Sequence, residues 1–145
     1  QCWTRILSVY GPCELPGTVI SSTIGSLLTG GVPKLTPCEQ IWDFLYCDDA
    51  ARALIAVARK GKPGAIYVLG SGEERQLREY IEELRDAINP AAELAFGALP
   101  YNAQQVMQLR ADINPLVQDT TFKPTVSFEN GIRETIEWHK ARIAR

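Results

Sequence analysis

The chain has 145 residues, enough for one compact domain and too few for two comfortable ones. Hydrophobic residues make up 46% and charged residues 22%, with a formal net charge of −2, so the basic excess of a nucleic-acid binder is missing. Apolar runs are broken within about ten residues, short of the ~20 that cross a bilayer, so no membrane partner is expected.

Gln1-Cys2-Trp3 is neither an initiator methionine nor the start of a signal peptide, and the chain opens inside a β-prone run as if cut from something longer. Trp3 to Tyr10 is rich in Ile, Leu, Val and aromatic residues and stops at Gly11-Pro12, which predicts one buried strand of a parallel sheet. Residues 12–17 are rich in turn formers. Thr18 to Leu28 carries Val19, Ile20, Ile24, Leu27 and Leu28 at helical spacing, and Gly30-Gly31 ends it. A short extended piece follows near Lys34-Leu35-Thr36.

Ile41 to Cys47 is a second predicted strand, and Asp48-Asp49 caps a helix that runs to about Lys60. Ala65 to Leu69 is a third, ending in Gly70-Ser71-Gly72. Leu77, Ile81, Leu84 and Ile88 mark the clearest helix, with charges on its other face. Glu93 to Phe96 suggests a short strand, residues 97–111 are irregular, and Asp112 to Gln118 suggests a helical turn or two. Ser127 caps a last helix whose buried stripe is Phe128, Ile132 and Ile136. Strands alternating with helices place the chain in the α/β class.

The motifs are decided first by absences. No G-x-G-x-x-G run offers a phosphate-cradling turn, and Gly70-Ser71-Gly72 reads as a strand exit that needs small residues. None of the five tyrosines has a lysine four residues on. His139, the single histidine, reads as a solvated surface residue, so no catalytic or metal-binding residue is expected here. The four cysteines, Cys2, Cys13, Cys38 and Cys47, show no C-x-x-C pair. They read as reduced small hydrophobes of a cytoplasmic protein. Asp43, between Trp42 and Phe44, reads as a buried carboxylate tying a loop through backbone N–H groups, with direct substrate contact as the alternative.

Arg5-Ile6-Leu7-Ser8-Val9-Tyr10-Gly11-Pro12 and Trp42-Asp43-Phe44-Leu45-Tyr46-Cys47-Asp48-Asp49 together resemble the NAD-dependent epimerase/dehydratase family, the extended short-chain dehydrogenases. Tyr67 to Gly72, Ala111-Asp112, Phe122-Lys123-Pro124 and Gly131 to Trp138 are similar to later pieces of the same pattern, in order. The resemblance implies the C-terminal portion of a Rossmann-type doubly wound sheet, incomplete at its N-terminal strand, plus a small α/β substrate-binding subdomain. Residues 1–11 and 41–72 would belong to the Rossmann part, and 12–40 and 73–145 to the subdomain and closing helix.

The activity so implied is hydride transfer with NAD or NADP on a nucleotide sugar, using a Tyr/Lys pair upstream of this chain. The chain alone is then expected to be inactive and to bind no cofactor. Ile6 and Leu7 would lie beside the nicotinamide; Ser8, Thr18 and Val19 would line the sugar-nucleotide pocket; Trp42 and Tyr101 would sit at the nucleotide end. Two departures stand out: Ser8 replaces the family's Asn, and Trp42 replaces its diphosphate-gripping Arg, a contact that indole cannot make. Rival readings are a non-catalytic sugar-nucleotide binding or interaction module and a fragment of a reductase acting on a non-sugar carbonyl. An exposed sheet edge would favour homo-oligomers or domain swapping.

Overall fold

The computed structural model describes residues 1–144. Its centre is the parallel pair β2 (Ser8–Tyr10) and β4 (Phe44–Tyr46), in register Ser8 to Phe44 and Tyr10 to Tyr46. Side chains alternate along a strand, so each strand feeds both faces. Tyr10, Phe44 and Tyr46 enter one core with helices α1 (Val19–Leu28), α3 (Leu77–Ile88) and α5 (Phe128–Ile143). Leu45, backed by Val9, enters a second core with α2 (Cys47–Lys60) and α4 (Asn114–Thr120). All three residues of β4 are buried, as expected of a parallel strand covered on both faces.

The helices obey their apolar spacing. Ile20, Ile24 and Leu27 of α1 pack against Ile81 and Leu84 of α3 and against Ile132 and Ile136 of α5. Caps are local: Thr18 Oγ1 accepts from Ser21 N at 3.1 Å, and Ser127 Oγ accepts from Asn130 N at 3.3 Å. Gln76 and Glu79 form a reciprocal capping box on α3. In α5, Gly131 lets the helix close onto the aromatic cluster; a Cβ there would collide with Tyr10 Oη and lie 2.7 Å from Tyr46 Cδ2.

Several expectations are corrected. Trp3–Tyr10 is two strands: β1 (Trp3–Ile6) pairs in parallel with β5 (Ile66–Leu69), and the chain steps at Leu7 into the β2–β4 pair. Nor is β1 buried: Trp3 is 65% and its register partner Ile66 51% exposed, because no described element covers that face. Ile41–Cys47 divides at Asp43, and its first part, β3 (Ile41–Trp42), pairs antiparallel with β6 (Arg75–Gln76). Glu93–Phe96 forms only a bridge from Ala95 to Lys34. The fourth helix starts at Asn114 rather than Asp112, whose carboxylate instead accepts from Asn114 N at 3.0 Å.

The Asp48-Asp49 cap is also overturned. Helix α2 begins at Cys47, and its N-cap Tyr46 makes no side-chain cap bond. Asp49 is fully buried and holds the approach to α5 instead, accepting from Thr125 N at 2.9 Å and Val126 N at 3.0 Å while paired with Arg52. The carboxylate serves a loop 76 residues away, a long-range demand that local helix chemistry does not reveal.

Candidate functional site

A cleft of about 710 Å³ opens between α1, the ends of β2 and β3, and the extended segment 33–38. One face of α1 faces the core; the adjoining face carries Thr18, Ser22 and Ser26, four residues apart, and lines the cleft. Trp42 comes from β3, and its indole Nε1 donates to Ser8 Oγ on β2 at 2.8 Å. That bond joins two sheets across the cleft floor and fixes the ring plane. Beneath it lies the core residue Phe44.

The structure brings Leu7, Ser8, Thr18, Val19 and Trp42 together on this cleft. It places two of the expected site residues elsewhere. Ile6 ends β1 with half its surface exposed, outside the cleft walls. Tyr101 is turned toward the chain behind the cleft: its hydroxyl accepts from Glu39 N at 3.0 Å and donates to Gln40 Oε1 at 3.3 Å. Gln40 itself reaches the lining, so Tyr101 steadies a wall rather than forming one.

Other lining residues escaped the sequence reading. Ser22 and Ser26 went unread although with Thr18 they form an i, i+4 stripe that periodicity could have found; Glu14, Lys34 and Thr36 leave no such signal, because only the fold sets them on the same cleft. Burial pushes the Glu14 carboxyl up, against an opposing hydrogen bond from Thr18, and its Oε2 has no partner among the described residues. Burial likewise pushes up the Cys38 thiol, with Thr36 and Arg78 opposing.

Asp43 stands behind the cleft as a fastening. It is fully buried; Oδ1 accepts from Ser71 N at 2.7 Å and Ser71 Oγ at 2.9 Å, and Oδ2 accepts from Gly72 N at 2.8 Å. These three bonds account for Gly70-Ser71-Gly72. Gly72 has a φ of +75°, open to glycine, and a Cβ on Gly70 would collide with that of Ala111. Desolvation raises the Asp43 carboxyl above its ordinary range despite those hydrogen bonds.

A second cavity of about 560 Å³ lies between residues 13–17 and α5, walled by Trp138, His139 and Arg142. His139 is thus half-buried rather than solvated, and its Nε2 has no partner among the described residues. Desolvation, helped by Arg142, lowers its pKa. Among the described residues, no group of three His, Cys, Asp or Glu side chains is placed to hold a metal ion, and no helix is long and apolar enough to cross a membrane.

A parallel core pair sandwiched by helices, with a polar-edged cleft beside it, defines a Rossmann-type α/β protein. The UDP-glucose 4-epimerase of Thermotoga maritima, solved with UDP-glucose, shares this fold at a TM-score of 0.90 and 22% identity, covering 98% of this chain and 46% of that one. The Bordetella bronchiseptica enzyme WbmF, solved with NAD+ and UDP, matches at a TM-score of 0.82 and 27% identity, covering 99% of this chain and 46% of that one. In sequence, the dTDP-glucose 4,6-dehydratase of Shigella flexneri is 32% identical over 145 residues, covering 95% of this chain and 40% of the relative. Residues 1–70 match the sequence model of the NAD dependent epimerase/dehydratase family. That match places the first half of the chain in the family, and the dehydratase alignment carries the likeness through the rest. It spans less than half the length of the curated relatives it matches.

Proposed function

We propose that this chain is the substrate-binding C-terminal part of an NAD(P)-dependent nucleotide-sugar epimerase or dehydratase, and that the cleft beside α1 holds the sugar nucleotide. The observation that carries the reading is the convergence of Leu7, Ser8, Thr18, Val19 and Trp42 on one cleft. Its size lies within the range of small-molecule sites, and its walls mix apolar side chains with hydroxyls, as a sugar requires. In this reading residues 1–11 and 41–72 complete the Rossmann part, and 12–40 and 73–145 form the substrate subdomain.

NAD or NADP would supply hydride chemistry when bound. The exposed apolar side chain of Ile6, next to Leu7, suits a flat nicotinamide face, so those two residues would contribute contact and exclude water. In this reading acid/base work falls to a Tyr/Lys pair that is not among these residues, and the 145-residue chain alone should show no turnover. Titrating UDP-glucose and dTDP-glucose into the chain should shift the Trp42 indole NMR signal, while NAD should bind more weakly than micromolar, about −8 kcal/mol. An indole signal unmoved by millimolar sugar nucleotide would overturn the site; micromolar NAD binding would overturn the division of labour.

The bare face bearing Trp3 and Ile66, and the free edge of β1, make self-association the expected state of the chain in solution. Light scattering should report dimers or larger species that revert to monomers in Trp3→Ser/Ile66→Lys. A wild-type monomer at several hundred micromolar would refute this.

A further inference from the structure

The cavity of about 560 Å³ between residues 13–17 and the end of α5 stands apart from the sugar-nucleotide cleft, with Glu14, Gly17 and Ser22 as a wall common to both. Its loop side is apolar. Leu15 and Pro16 line it, and Leu15 is 77% exposed, a large apolar side chain left almost uncovered. The loop is nevertheless fixed: Ser21 Oγ donates to Leu15 O at 3.1 Å, and Thr18 Oγ1 donates to Ser21 Oγ at 2.9 Å. The cavity is therefore preformed, and its volume lies within the range of small-molecule sites.

The α5 side brings an aromatic ring and a cation. Arg142 Cζ sits 4.7 Å from the Trp138 ring centroid, and the His139 ring meets Trp138 edge-on with centroids 5.0 Å apart. None of the ion pairs among the described residues engages Arg142, whereas Lys140 is paired with Glu137 and Arg133 with Glu129. Arg142 is the one positive charge among the lining residues, because desolvation and Arg142 itself disfavour a protonated His139. Glu14 is the one carboxyl, and burial holds it toward its neutral form. Glu14 Oε2 and His139 Nε2 are buried without partners, a cost that a bound polar group would recover once either side chain turns toward the cavity.

We infer that this cavity is a second ligand site that takes a small organic acid, with an apolar body against Leu15, Pro16 and Trp138 and a carboxylate on Arg142. The guanidinium presents a planar pair of donors that matches a carboxylate, and its seat over the indole ring limits the freedom it must give up on binding. The apolar body covers Leu15, which nothing else in the described chain does. A neutral Glu14 leaves the incoming anion without a like charge on the opposite wall. The site stands whether or not the cleft binds a sugar nucleotide.

Benzoate, with benzyl alcohol as its uncharged counterpart, probes the site by calorimetry and NMR on the full chain. Benzoate should bind at about 1 mM or tighter, and benzyl alcohol about tenfold more weakly. Benzoate should move the Trp138 indole signal and leave that of Trp42, on the cleft, in place. Arg142→Met should weaken benzoate about tenfold without changing benzyl alcohol, with Arg142→Lys between the two; Leu15→Ser should weaken both probes. Arg142 and Leu15 are exposed, so the variants should keep the wild-type melting midpoint, which checks that they are folded. Equal benzoate affinity in wild type and Arg142→Met overturns the site. So does a Trp138 signal unmoved by excess benzoate, or a response at Trp42 in its place.

Discussion

Asp43→Ala should lower the unfolding free energy by about 3–5 kcal/mol, a large share of what holds a domain of this size together. The carboxylate is fully buried and satisfies three donors from one loop: Ser71 N, Ser71 Oγ and Gly72 N. Alanine leaves those donors without an acceptor and opens a void beside the closely packed Gly70 and Ala111. Asp43→Asn should fall between the two, since one oxygen survives while the amide NH2 must face a donor. Urea unfolding reads both. A loss below about 1 kcal/mol for alanine would mean that the freed donors find water, and the fastening role would be lost. The variant should also loosen the exit from β5, seen as faster amide exchange at Ser71 and Gly72.

Gly131→Ala should destabilise by about 1–3 kcal/mol, the reverse of the gain that alanine normally brings to a helix interior. The added methyl would collide with Tyr10 Oη and stand 2.7 Å from Tyr46 Cδ2 and 3.0 Å from Tyr10 Cζ. Both rings are buried, and Tyr10 is wedged edge-on between Phe44 and Tyr46, with ring centroids 5.9 and 5.6 Å away. Neither can swing aside, so α5 must retreat and give up contacts of Ile132 and Ile136 with the core. Thermal unfolding gives the sign. A variant at least as stable as wild type would show that the cluster has slack.

The helices were legible because their determinants are local. Apolar spacing located α1, α3 and α5, and Ser127 announced the last of them. The strands were harder. Trp3–Tyr10 and Ile41–Cys47 are apolar at so many positions that periodicity cannot show where the backbone leaves one pair for another, at Leu7 and at Asp43. The same limit governs the buried carboxylates. Asp43 stood out because charge is costly between aromatic residues, whereas Asp49 looked like an ordinary first-turn acid until Thr125 and Val126 arrived on it. Ser8 and Trp42 drew notice through their departures from a family pattern. That they are hydrogen-bonded to each other is a fact of three dimensions, as is the placing of Lys34 on the same cleft as Ser22 and Ser26.

The outermost strand pair sets an order of events. Trp3 aligns with Ile66, so β1 leaves the ribosome long before the strand it pairs with. No tight turn can bring parallel strands together; the intervening chain must close a long loop at an entropic cost that only later contacts repay. The α2 helix and its packing on Tyr67 and Leu69 thus have to organise the landing place first. Until then the β5-facing edge of the Trp3–Ile6 segment has no partner strand, and Trp3 and Ile6 are open to the same segment of a neighbouring chain. Yield of folded protein should therefore depend more on the speed and crowding of synthesis than on the stability of the finished fold.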